Sequence, residues 1–154
     1  MTTLRRTLRD DLRLSRLYLL ILAIFTLGRW LQGLLGVPYE RGHHVFSLVI
    51  MTAISCLYYG AFTRRWRGYG LMDAVVIGVL LGLIGQTVIL LSTIASYGFG
   101  LETYFNNPVA LNSPQPLAIA QALSVRIGGL VGNSILAGVL GALGWTIGGL
   151  LPES

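Results

Sequence analysis

The sequence predicts an all-α integral membrane protein. It is a bundle of four transmembrane helices with both termini cytoplasmic, an N-terminal amphipathic segment, and a structured outer loop between the third and fourth helices. Three observations carry this reading. The 154-residue chain is 54% hydrophobic and only 11% charged, against about 25% charged in an ordinary soluble domain. Four apolar stretches approach or exceed the roughly 20 helical residues that cross a hydrocarbon core. The basic residues, all of them arginine, gather before the first span and between the second and third.

Residues 1–16 form a basic segment in which Leu4, Leu8 and Leu12 recur every four positions among arginines. This pattern predicts an amphipathic helix on the inner leaflet, where attraction to anionic lipid reaches about 1 kcal/mol per arginine. A plain positive-inside anchor accounts for the same residues. The first span covers residues 17–36 and contains Arg29. Its apolar run is followed by Gly28-Arg29-Trp30 rather than a small-residue cleavage site, so it reads as a retained anchor. The second span, 45–62, is the shortest. The third, 71–97, is long enough to tilt, and the fourth covers 125–151. Backbone groups in lipid must bond internally, and these stretches lack the polar–apolar alternation of barrel strands, so they are helices.

Arg5, Arg6, Arg9, Arg13 and Arg16 precede the first span, and Arg64, Arg65 and Arg67 lie between the second and third. The other connections carry only Arg41 and Arg126, beside Glu40 and Glu102. This asymmetry puts both termini inside and points to a bacterial cytoplasmic membrane. Trp30, Tyr39, Tyr97 and Tyr104 fall at the expected outer interface, and Tyr18, Trp66, Tyr69 and Trp145 at the inner one. The outer loop, 98–124, is rich in Asn and Pro, with Ser113 placed to cap a helix beginning at Pro114. A loop this long in so small a chain is a candidate functional surface.

Small residues form two stripes at helical spacing. Gly78, Gly82 and Gly85 mark the third span, and Gly129, Ala137, Gly141, Gly144 and Gly148 the fourth. Such faces let backbones approach closely in lipid, which predicts that the third and fourth spans pack against each other. Three polar residues interrupt the apolar spans. Gln86 and Asn133 read first as interhelical hydrogen-bonding groups and otherwise as the lining of a path. Arg29 lies near the outer end of its span, where it either snorkels to the headgroups, pairs with Glu40 or Glu102, or grips an anionic ligand.

Many chemistries are absent. Without lysine there is no Schiff base and no phosphate-loop lysine. Cys56 is the only cysteine, which excludes an intrachain disulfide, a C-x-x-C pair and a cysteine-rich metal site. No metalloprotease or nucleophile-elbow motif occurs, no acid sits mid-span, and no segment outside the membrane is long enough for a basic nucleic-acid surface. His43 and His44 are neighbours, so a self-contained two-histidine haem is disfavoured; one of them is free to ligate a chlorophyll-type magnesium or a haem shared with another subunit. The expected function is therefore a non-catalytic accessory or structural subunit of a larger membrane complex, with the lipid bilayer and other membrane subunits as partners. The alternatives are a small oligomeric transporter or channel with a path near Arg29, Gln86 and Asn133, and a pigment- or haem-associated subunit using His43 or His44.

Overall fold

The computed structural model describes residues 13–151, and it is all-helical, with no strand among them. The predicted amphipathic helix over 1–16 lies almost wholly outside the described residues. Four long helices follow: α1 (Arg16–Leu34), α2 (Leu48–Arg67), α3 (Leu71–Gly98) and α4 (Ile119–Gly148). Three of them, α1, α3 and α4, are long and apolar enough to cross a membrane, which indicates a membrane location. The 20-residue α2 spans roughly 30 Å at 1.5 Å per residue. It is less apolar because it carries Thr52, Ser55 and Thr63 and has Arg64, Arg65 and Arg67 in its last turn.

Helix ends depart from the apolar stretches for local reasons. α2 starts at Leu48 and not at Val45, because Phe46 takes a left-handed backbone (φ 54°) and Ser47 caps the helix, its Oγ accepting from Ile50 N at 3.4 Å. A positive φ is rare for a bulky side chain. The Phe46 ring lies directly over Gly28, which has no Cβ to obstruct it, and meets Phe25 edge-on at 5.6 Å. At its other end α2 runs five residues past the expected limit, since arginines are good helix formers and suit a helix C-terminus. Gly68 (φ 63°) then stops it, with Tyr69 N donating to Thr63 O at 3.0 Å. Asp73 opens α3 by accepting from Gly70 N at 2.9 Å.

Ser113 does not cap α4. Its hydroxyl instead closes a turn with Gln115, and the helix begins at Ile119, where Gln121 Oε1 accepts from Ala118 N at 3.3 Å. From there α4 runs without a break through Gly128 and Gly129 to Gly148. Hydropathy marked only its most apolar part, because Gln121 and Ser124 dilute the first turns.

α4 lies between α3 and α2. On one side a Cβ at Gly82 would sit 2.7 Å from Ala137 Cβ and 2.9 Å from Ser134 Cα, and one at Gly78 would collide with the Ala137 carbonyl. Gly141 faces Ala74 of α3 in the same way. Farther along, Gly144 and Gly148 turn to α2, where Cβ atoms would lie 2.8 Å from Leu57 Cα and Ala61 Cα. The fourth-span stripe is thus divided between two neighbours, whereas the sequence assigned all of it to the third span. Gly85 faces Tyr18 and Thr52 instead of α4, and Gly129 makes only ordinary contacts, with Asn133 and Gln86 side chains.

Only Tyr18 and Leu22 of α1 are buried. The Tyr18 ring is in the core and not at the inner interface, with its hydroxyl donating to Leu81 O at 2.9 Å and 3.0 Å from Thr52 Oγ1. This joins α1, α2 and α3 at one point. Tyr18→Phe is expected to lower stability in detergent by about 1 kcal/mol, the net worth of a buried hydrogen bond; an unchanged unfolding midpoint would show that the hydroxyl contributes nothing.

Candidate functional site at the loop end

The segment between α3 and α4 folds into a tight cover. Ser96 Oγ lies 2.7 Å from Thr103 Oγ1, Asn106 Oδ1 accepts from Thr103 N at 2.9 Å, and Asn106 Nδ2 donates to Leu101 O at 2.8 Å. Thr103, Tyr104, Phe105 and Leu111 are all buried. The Tyr104 hydroxyl donates to the carbonyls of Val37 and Pro38 (2.9 and 3.1 Å) and its ring occupies the space above Gly42, fastening this cover to the α1–α2 connection. Tyr104 is therefore buried rather than interfacial.

Arg126 is the main tie. Two turns into α4, its Nε donates to Thr93 Oγ1 at 3.1 Å, Nη2 to Phe105 O at 2.7 Å and Nη1 to Ala110 O at 3.3 Å. One side chain so holds α3, α4 and the cover together. Arg29 comes from α1, roughly 7 Å below that helix's end at 1.5 Å per residue. Its Cζ lies 5.4 Å from the Tyr104 ring, 5.8 Å from Tyr39 and 5.9 Å from Phe105, within cation–π range. Among the described residues it makes one hydrogen bond, from Nη1 to His43 O, which is long at 3.4 Å. Of the alternatives for Arg29, the pair with Glu40 or Glu102 does not form: both acidic residues are exposed and line a separate cleft of about 550 Å³ with Tyr97, Asn106 and Asn107.

Arg29 and Arg126 share a pocket of about 320 Å³ with His43, His44, Ser47 and Phe105. His43 Nδ1 is 3.0 Å from Tyr39 O and its ring stacks on Tyr39. The two histidine rings lie 3.7 Å apart between centroids, which leaves no gap for a porphyrin plane between them. His43 is half-buried and His44 is exposed. Among the described residues no three His, Cys, Asp or Glu side chains gather closely enough to hold a metal.

Gln86 and Asn133 do come together, across the space left by Gly129, and both line a slot of about 30 Å³ with Thr52 and Gly82. That is room for about one water. Arg29 is not part of the slot, so the three polar residues do not converge on a common cavity.

Three features lie outside the expectations from sequence. Hydropathy puts Arg126 at a helix edge, whereas its helix starts seven residues earlier, at Ile119. Gly60 of α2 is a packing position outside the two glycine stripes, where a Cβ would sit 2.8 Å from Trp145 N. The third is a row of six residues on α1: Leu17, Leu20, Ile24, Leu27, Leu31 and Leu34, each more than half exposed. Their alternating spacing of three and four is a heptad pattern, legible from the sequence alone.

No protein-family model, curated protein or solved structure matches this chain.

Proposed function

We propose that the chain is a non-catalytic accessory subunit of a larger membrane protein complex. In this reading all four long helices cross the membrane, both termini are cytoplasmic, and the cover over the α3–α4 end faces outward. The arginines that precede α1 in the sequence and those in the last turn of α2 support that orientation, and α2 has the length to cross.

The exposed heptad row on α1 carries the assignment. Leu and Ile at a 3-4 spacing suit the knobs-into-holes seam of a left-handed helix pair, and these six side chains are left exposed by the rest of the described residues. α1 is also the helix least buried by its own chain, with two residues in the core. A transporter or channel is less well supported, since Arg29 occupies a different cavity from Gln86 and Asn133.

The test is extraction from native membranes in mild detergent followed by native mass spectrometry. Different chains are expected to accompany the protein, and the double variant Leu20→Ala, Leu27→Ala is expected to lose them while keeping its own helicity. A bare monomer or a homo-oligomer from wild-type membranes would rule out the accessory-subunit reading.

A further inference from the structure

The pocket shared by Arg29 and Arg126 concentrates positive charge. Two guanidinium groups line it, with His43, His44 and Ser47, and among the described residues no carboxylate does. Bringing two cations into one partly enclosed space is unfavourable unless an anion joins them. The two arginines also differ in what they have already bound. Arg126 places three of its N–H groups on protein oxygens. Arg29, with five donors on its guanidinium, places one, at 3.4 Å, among the described residues. The rings of Tyr39, Tyr104 and Phe105 attract its charge but accept none of those donors in a strong bond.

We propose that this pocket binds a phosphoryl group. Donors approach from several sides: Arg29 from α1, Ser47 and His44 from the connection before α2, and Arg126 from α4. A tetrahedral oxyanion offers acceptors toward all of these, whereas a planar carboxylate offers one edge, and guanidinium groups bind phosphate oxygens in pairs. The volume, about 320 Å³, is at the small end of the range for ligand sites. Val49 and Ile50 line the same pocket and are each 47% exposed. The cavity therefore meets an apolar surface, along which the acyl chains of a phospholipid can lie while its headgroup enters. Free phosphate presents the same chemistry without the chains. The site uses residues of this chain alone and does not depend on the accessory-subunit reading.

The test uses the full chain purified in dodecyl maltoside, which has no phosphoryl group. Dioleoylphosphatidylglycerol, dioleoylglycerol and inorganic phosphate are titrated separately, with bound lipid read by native mass spectrometry and phosphate by calorimetry. One phosphatidylglycerol per chain is expected to depend on Arg29, and Arg29→Gln is expected to weaken it about tenfold or more, the loss of a charge-assisted hydrogen bond. Arg29→Lys, which keeps the charge and loses the fork, is expected to fall between; Arg29→Lys and Ser47→Ala decide the matter if the Gln variant misfolds. Dependence on Arg29 separates this site from lipid gathered by the arginines before α1. Binding of inorganic phosphate with the same dependence would identify the free ion as ligand, while lipid binding alone would identify the headgroup. The proposal is overturned if neither phosphoryl compound binds, if dioleoylglycerol binds equally well, or if the folded variants bind as the wild type does.

Discussion

Replacing Gly141 with leucine is expected to cost about 3 kcal/mol or more, the upper end of the penalty for overpacking and a large share of the roughly 5–15 kcal/mol that holds a domain folded. The reason is that three helices meet at this residue. A Cβ there would collide with the Ala74 carbonyl of α3 and lie 3.4 Å from Gly78 Cα, while the Gly141 carbonyl itself fills the space above Gly60 of α2. Backbone atoms cannot move aside as a side chain does, so α4 would have to separate from both neighbours. Gly132→Leu is the control. It lies on the same helix with nothing within 4 Å of its would-be Cβ, and the new side chain would extend into lipid. Its effect is expected to stay within about 0.5 kcal/mol, as for substitutions away from special features. Unfolding by heat or added dodecyl sulfate, followed by circular dichroism, compares the two. Equal midpoints would mean that close backbone approach does not hold these helices together.

That contrast also marks how much of the fold was legible in the sequence. Glycines spaced for one helix face identify the face, and α3 and α4 do meet through Gly78, Gly82 and Gly141. Which neighbour each glycine meets is set by crossing angles, which residue spacing does not encode, so Gly144 and Gly148 were assigned to the wrong partner. Helix ends were misplaced for a related reason. Hydropathy measures the apolar slab, whereas Ser47, Gly68 and Gln121 set the ends through hydrogen bonds and backbone conformation. At the candidate site, Arg29 was legible because a charge in an apolar stretch is conspicuous. The pairing of its pocket with Arg126 was not, since it depends on a cover that brings Phe105 between two helices distant in sequence.

Replacing Arg126 with methionine, which keeps an apolar stem of similar reach, is expected to loosen the cover without unfolding the helices beneath it. Three hydrogen bonds from a charged group disappear, and bonds of this kind contribute about 1.5–3 kcal/mol each. The loss is not the full sum. Thr93 Oγ1 still donates to Phe105 O at 3.2 Å, and the contacts of Tyr104 with Val37 and Pro38 remain. A net local cost of about 3 kcal/mol follows, roughly a hundredfold rise in amide exchange across residues 101–112. The glycine contacts of α3 and α4 should keep their protection, because Gly78 and Gly141 are four turns or so from Arg126 and share no partner with it. Arg126→Lys should recover little, since one ammonium cannot reach Thr93, Phe105 and Ala110 together as the planar fork does. Exchange that rises equally along α4, or nowhere, would contradict the assignment of Arg126 as the tie. The distinction matters for the pocket as well: a loosened cover exposes Arg29 to water, where the attraction between its charge and an anion weakens with the rising dielectric. Arg126 therefore acts on ligand binding in two ways, by its own charge and by keeping the pocket closed over Arg29.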